Sequence, residues 1–342
     1  MRVAMYYHNR DVRLEEMPRP KISPGEMLMR IEASGICGSD VLEWYRIHKA
    51  PLVLGHEVAG TVAEVGEGIT RYKVGERIVA SHHVPCFTCH YCIHGHETIC
   101  DTLRSTNFYP GGFAEYVRLP TINVDRGVYR LPEGVDFEQG TFAEPLACVL
   151  RGQRVARFEP GVSVLVLGAG ISGLLHIALA RATGAGRIIT TDKNAYRRKA
   201  AVLFGADAVF DASDNIAARV REVNDGRLAD RVIVCTGAIE AMQQALGCIE
   251  RGGTVMFFAS TRPEEVLELN IERTFWRTDI TLTTSYAGSP ADYVKALELI
   301  RTRAIPVKDM VTHRFPLAET QKGFGLVAGA QDSIKVIIKP QE

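Results

Sequence analysis

From Val162 to Ala180 the chain runs through an apolar stretch, three glycines at positions 168, 170 and 173, and a second apolar stretch. This segment constrains the fold more than any other. A lone G-x-G-x-x-G is weak, but here it lies between a strand-like and a helix-like run, the context that gives it a mechanism. Gly168 permits the tight turn, Gly170 lets the backbone approach a pyrophosphate, and Gly173 allows the helix to pack closely on the strand. The amides opening the helix, at Ile171 and Ser172, then face an anion with the positive end of the helix dipole. Gly161 to Ala180 contains no Asp, Glu, Lys or Arg and is long enough to cross a bilayer. Four glycines, two serines and a histidine within it fit a buried strand, turn and helix better.

The next strand-like run, Arg187 to Thr191, is followed by Asp192, 19 residues past Gly173. An acid there accepts hydrogen bonds from an adenosine ribose and repels a 2′-phosphate, which points to NAD. Its plainer role is a helix-capping acid. Lys193, Arg197 and Arg198 either serve a phosphate or form a solvated helix face. Further strand-like runs (Ala208–Phe210, Arg231–Cys235, Thr254–Phe258, Ile280–Thr283) alternate with helix-like segments such as Ala195–Phe204 and Ile239–Glu250. That alternation predicts a doubly wound parallel sheet with helices on both faces. Residues 1 to about 150 read instead as mostly β, in short apolar runs punctuated by glycine and proline. The tail from Pro290 carries one helix, Ala291–Arg301, and a last strand, Ile334–Ile338.

At 342 residues, the chain has room for about two domains. Lys plus Arg and Asp plus Glu both number 40, so no basic field is available to capture nucleic acid. With 46% hydrophobic residues, the composition also excludes a disordered solvating chain. No signal-peptide pattern opens the sequence, so a cytoplasmic protein without a membrane segment is expected.

Four of the eight cysteines, Cys86, Cys89, Cys92 and Cys100, lie within one short stretch. In a reducing compartment such a cluster suggests metal rather than disulfides. Four thiolates suit closed, tetrahedral Zn²⁺ in a structural role. An iron–sulfur cluster is the rival.

Cys37-Gly-Ser-Asp40, Gly55-His-Glu-x2-Gly-x5-Gly66, Val74-Gly-Glu-Arg77, the cysteine loop, Gly111-Gly-Phe-Ala-Glu-Tyr116, Glu144-Pro-Leu146 and the glycine turn occur in this order. Together they resemble the medium-chain, zinc-dependent alcohol and polyol dehydrogenases, with the sorbitol and threonine branches nearest. The resemblance runs from about residue 1 to 340. It implies a GroES-like, zinc-bearing catalytic domain over 1–150, a Rossmann NAD-binding domain over 151–288, and a tail, 289–342, that returns to the first domain. It implies Cys37 and His56 as catalytic zinc ligands with Glu57 beside the metal, Glu144 as third ligand, and Asp192 and Arg197 at the adenosine ribose. Thr236-Gly237 would line the cofactor site.

Three protein ligands leave a position for water or a substrate oxygen, and the metal lowers the pKa of a hydroxyl held there. Ser39 can relay that proton, or it is a turn serine bonded to local backbone. Where many members carry a relay histidine stands Leu42, so the relay ends at Glu43, Tyr45 or water. Thr284-Ser285-Tyr286 lacks the polyol-gripping arginine of sorbitol dehydrogenases. Trp44, Tyr45 and Arg46 line the cleft or serve as core or interface residues.

Glu144 precedes Pro145, which predicts a helix capped by Glu144. Cys148, one turn on, competes as a zinc ligand or is a small buried hydrophobe. The expected partner is a small hydroxyl compound (polyol, cyclitol, sugar derivative, hydroxy acid or simple alcohol), acted on by a homodimer or homotetramer. The rivals from other classes are a catalytically silent nucleotide-binding relative and a zinc-ribbon nucleic-acid binder.

Overall fold

Ser163–Leu167 forms a strand buried at every position, which is why its sequence shows no alternation of apolar and polar residues. It lies inside a six-stranded sheet ordered Ala208–Asp211, Arg187–Asp192, Ser163–Leu167, Ala229–Val234, Ile249–Phe257, Thr281–Thr284. Every neighbouring pair is parallel. Counted in chain order this is 3-2-1-4-5-6, the doubly wound arrangement, with its reversal between Ser163–Leu167 and Ala229–Val234. One face buries Leu165, Leu167, Ile189, Val232 and Val234 against Val220, Met242 and Ala245.

The computed structural model describes residues 1–330 and 332–342. They form two compact units, Met1–Ala147 with Ala287–Glu342, and Cys148–Tyr286. No helix among the described residues is long and apolar enough to cross a membrane.

In the first unit, Met27–Gly35 pairs antiparallel with Glu57–Val65, Tyr116–Leu119 and Lys335–Lys339. The seven-stranded sheet continues through Arg77–Ala80 and Val128–Arg130 on one side and Val311–Pro316 on the other. A smaller sheet joins Asp11–Glu16, Arg2–His8 and Leu52–Val53. The tail thus inserts a strand beside Met27–Gly35, and Val336 and Ile338 enter the same core as Tyr6, Ile36, Phe113 and Phe324.

Several element ends differ from the sequence expectation. The strand expected from Arg231 begins at Ala229, where a bulge against the neighbouring strand absorbs the irregular start. The helix expected to reach Glu250 stops at Cys248, because the chain enters the strand Ile249–Phe257 with no intervening loop. The helix expected to start at Pro145 spans Ala143–Val155, so Glu144 lies in its first turn and is not its cap.

Candidate active site

Sheet register builds the first metal-donor group. Gly35 stands opposite Glu57 in the antiparallel pair, so Cys37, just beyond one strand end, meets His56, just before the other strand begins. Donor atoms of Cys37, His56 and Glu57 lie within 4.8 Å of one another. One thiol, one imidazole and one carboxylate suit a Zn²⁺ site that keeps an open position.

The turn after Cys37 organises the group. The Asp40 carboxylate accepts from the Cys37 amide at 3.0 Å and lies 3.3 Å from His56 Nδ1. That contact fixes the imidazole's tautomer and leaves Nε2 for a metal. Asp40 is fully buried, which would raise its pKa, but His56, Arg46 and the Cys37 amide together hold it below the usual carboxylate range. Burial opposes the charged form of His56, yet Asp40 and Cys37 lift it well above an ordinary imidazole. The Ser39 amide and hydroxyl both donate to Cys37 Sγ at 3.4 Å.

Behind Glu57 stands Lys335, fully buried, its ammonium paired with the Glu57 carboxylate and 3.3 Å from the Ile36 carbonyl. Gly35 makes room for this pair: a Cβ there would stand 2.7 Å from Lys335 Cε and 2.9 Å from Nζ. A buried polar side chain needs a partner, and Lys335 holds the Glu57 carboxylate in place. Sequence reasoning missed Asp40 and Lys335 as supports. The one signal was a lysine inside the apolar run Ile334–Ile338.

Glu144 is buried in the first turn of its helix and is not one of the three clustered donors. Cys148, partly exposed, opens the second unit. The relay residues, Ser39 and the candidate ends Glu43 and Tyr45, have separate partners. Glu43 accepts from the Asn9 amide at 3.3 Å, Tyr45 is 42% exposed, and the Ser39 hydroxyl accepts from Arg46 Nη2 at 3.3 Å. An arginine cannot take a proton, so a relay through Ser39 does not continue into Arg46. His82, whose ring centroid lies 4.8 Å from that of His56, was also missed.

The second donor group is Cys86, Cys89, Cys92 and Cys100, with sulfur separations of 3.5 Å (Cys86 to Cys100), 3.6 Å (Cys89 to Cys92) and 3.9 Å (Cys86 to Cys92). Sulfurs about 2.3 Å from one tetrahedral ion would be about 3.8 Å apart. The geometry therefore fits a single Zn²⁺, whereas several irons would spread the ligands further. Amides of Thr88 and Cys89 donate to Cys86 Sγ at 3.4 and 3.3 Å. Hydrogen bonds from Thr88, then Cys89, hold the Cys86 thiol down at about 5. Burial and the Cys89 thiol push Cys92 up to about 12.

The glycine turn forms the third element, in the second unit. Gly168 has φ 96°, and a Cβ on Gly173 would run into the Gly168 carbonyl. A Cβ on Gly170, by contrast, would meet only Arg197 Nη1 at 3.7 Å, so the turn has an open face. No side chain caps the helix Ile171–Ala182, which leaves the Ile171 and Ser172 amides for an anion. Asp192 accepts from Ala169 N at 2.8 Å and Asn194 N at 2.7 Å, which brings its carboxylate to the turn. Thr236 packs beside Gly168, 3.4 Å from a Cβ built there.

Of the three basic residues, Lys193 is exposed, while Arg198 is committed to the Asp192 carbonyl and the Asp211 carboxylate, both at 2.7 Å. Arg197 reaches the turn with a buried Nε that has no partner. Half-buried, Arg197 thus lies against the turn as well as on its helix face. An open cradle, a free helix start and a guanidinium with an unpaired Nε fit a dinucleotide.

Two family models match the chain: the alcohol dehydrogenase GroES-like domain over residues 23–133 and the zinc-binding dehydrogenase over residues 172–302. A probable D-xylulose reductase A from Aspergillus clavatus is 33% identical over 96% of this chain and 93% of its own length. A sorbitol dehydrogenase from Halalkalibacterium halodurans is 32% identical over 96% and 95%. Among solved structures, a putative zinc-binding dehydrogenase from Sinorhizobium meliloti bound to NADP superposes with a TM-score of 0.88 at 29% identity, covering 99% of both chains.

Proposed function

The chain belongs to the zinc-dependent medium-chain alcohol and polyol dehydrogenases, and from that premise we propose that it oxidises the secondary hydroxyl of a small polar molecule with NAD, or reduces the matching ketone with NADH. The observation that carries this reading is the three-donor group of Cys37, His56 and Glu57, backed by Asp40 and Lys335. When bound there, Zn²⁺ acts as a Lewis acid that acidifies a hydroxyl, and the nicotinamide accepts or returns the hydride.

The chain supplies the rest. Cys37 and His56 hold the metal, and Asp40 fixes the ring of His56. Lys335 ties one Glu57 oxygen and keeps the carboxylate beside the metal. Ser39, bonded to Cys37 Sγ, orients the reacting hydroxyl. We keep Glu144 as the third ligand that the resemblance implies, with Glu57 beside the metal and one of its oxygens tied by Lys335; Cys148 is its competitor. Glu144→Ala would then cost metal affinity and most of the activity, while Cys148→Ala keeps both. The reverse pattern would assign the ligand to Cys148.

Gly168, Gly170, Ile171, Ser172 and Gly173 cradle the pyrophosphate. Asp192 and Arg197 take the adenosine ribose, and Thr236 supports the turn. The Asp192 charge favours NAD over NADP. We place the enzyme in the cytoplasm as a homodimer or homotetramer, in keeping with the family; light scattering on purified protein reads the assembly. The direct test of function is a panel of hydroxyl compounds offered with NAD to the zinc-loaded enzyme. Reduced-nicotinamide absorbance should rise with at least one polyol, sugar derivative, hydroxy acid or secondary alcohol. Zinc-replete, NAD-binding protein that turns over none of them would overturn the reading.

A further inference from the structure

The short helix Glu43–Arg46 and the turn Ile47–Lys49 follow the Cys37 loop directly. Arg46 is mostly buried (15% exposed) and bends back onto that loop. Its Nε donates to the Ser39 carbonyl at 3.0 Å and its Nη2 to the Ser39 hydroxyl at 3.3 Å. That hydroxyl in turn touches Cys37 Sγ at 3.4 Å, so the guanidinium stands one hydroxyl away from the metal-donor group. Among the described residues, Nη1 has no hydrogen-bond partner.

The charge around it is unbalanced. The nearest carboxylate, Asp40 Oδ1, lies 3.7 Å from Nη2, and it is shared with His56 at 3.3 Å. Glu43, on the same helix, is held by the Asn9 amide, and Glu57 is paired with Lys335. Lys49 lies beside Arg46: both cations sit over the Tyr45 ring, 5.1 and 4.7 Å from its centroid. Among the described residues, no carboxylate lies within 4.0 Å of the Lys49 ammonium. The remaining neighbours are His82 and His83, their rings tilted against each other with centroids 3.8 Å apart. Burial, first, keeps both imidazoles neutral at pH 7, His83 with a pKa of about 4. They add no negative charge.

A neutral polyol would leave the free guanidinium edge facing water. A carboxylate or phosphate would accept from it in the planar geometry that arginine offers, with Lys49 as a second point charge. We propose that the substrate carries an anionic group, a carboxylate or a phosphate, close to the hydroxyl that is oxidised, and that Arg46 and Lys49 bind it. The inference rests on the dehydrogenase reading of the same site and narrows its substrate class. If Arg46 served only to hold Ser39, Nε and Nη2 would suffice, and its loss would affect charged and neutral substrates alike.

The test uses zinc-loaded enzyme with NAD and matched substrate pairs: hydroxy acids against their amides, and phosphorylated polyols against the free polyols. The anionic member should have the higher kcat/KM by about tenfold or more, the size of a charge-assisted hydrogen bond. The responding pair identifies the group as carboxylate or phosphate. Arg46→Met should raise KM for the anionic member about tenfold and bring the anionic-to-neutral ratio towards one. Arg46→Lys should restore part of that ratio, and Lys49→Met should lower it by a smaller factor. Equal or better use of the neutral members by the natural enzyme would overturn the proposal and leave the dehydrogenase reading intact. So would an unchanged ratio in both Arg46→Met and Lys49→Met, the latter deciding alone if the Arg46 variant does not fold. No turnover of any pair would instead overturn the dehydrogenase reading.

Discussion

All four sulfurs of the cysteine lobe come from one stretch, Cys86 to Cys100, and much of their support is local: Thr88 and Cys89 amides bond Cys86, and the Arg126 guanidinium reaches the Pro85 carbonyl at 3.1 Å. The Cys37, His56 and Glu57 group is assembled from two strand ends that meet through sheet register. It is supported by Lys335, nearly 300 residues along the chain from Cys37. The lobe uses every donor on the ion and suits a structural role. The other group, with three clustered donors, would leave a coordination position open, and it relies on buried charges that only the folded sheet brings together. A closed site can be local, because it serves only its own loop. An open site has to be held from outside by elements that do not themselves bind the ion.

The largest expected effect separates the two sites by function. Cys37→Ser or His56→Ala should lower kcat by at least about a thousandfold while the fold and the lobe's zinc survive. Cys89→Ser should instead lose zinc and local structure together, with activity falling only as stability falls. Steady-state kinetics with metal analysis reads both, and a Cys37→Ser variant of normal activity would dissolve the distinction.

Next comes the support behind the open site. Lys335→Met leaves Glu57 as a buried charge without its partner and should destabilise the protein by about 3–5 kcal/mol in denaturant titration. Removing both charges, as Lys335→Met with Glu57→Leu, should recover most of that loss. A single-variant cost below about 1 kcal/mol would show that the pair is not what holds the group.

A third effect concerns the cofactor. Asp192→Ala should narrow the preference for NAD over NADP by about tenfold in kcat/KM. Natural enzyme that uses NADP as well as NAD would refute the charge argument, and Arg197, already at the turn, would be the residue responsible.

The smallest effect lies in the lobe. Phe87 sits between Cys86 and Thr88 at φ 62°, a conformation that costs a side chain about 1 kcal/mol and glycine little. Phe87→Gly should keep its zinc and raise stability by at most that amount. A destabilised lobe would mean that the Phe87 ring, under the Arg126 guanidinium at 5.8 Å, contributes more than its backbone strain costs.

What was legible in the sequence follows the same division. The glycine turn, the alternating strands and helices and the cysteine lobe are local patterns, and the residues themselves carry them. Cys37 and His56 lie 19 residues apart with no spacing rule between them, and only the resemblance joined them. Lys335 was hidden because a lysine in an apolar strand gives no sign of which carboxylate lies opposite. The sequence leaves Arg46 open as a cleft, core or interface residue, and no local pattern points to its contact with Ser39. The misplaced start of the Glu144 helix arose because proline favours a first helical position but also tolerates the first turn generally.

On the function proposed above, one donor group performs the chemistry and the other only holds its lobe. Timed chelation of purified enzyme tests it most directly, with zinc content and activity measured on the same samples. Two zinc ions per chain are expected at the start, then loss of one together with all activity while the fold persists, and recovery when zinc is returned. Full activity retained with a single zinc per chain would contradict it.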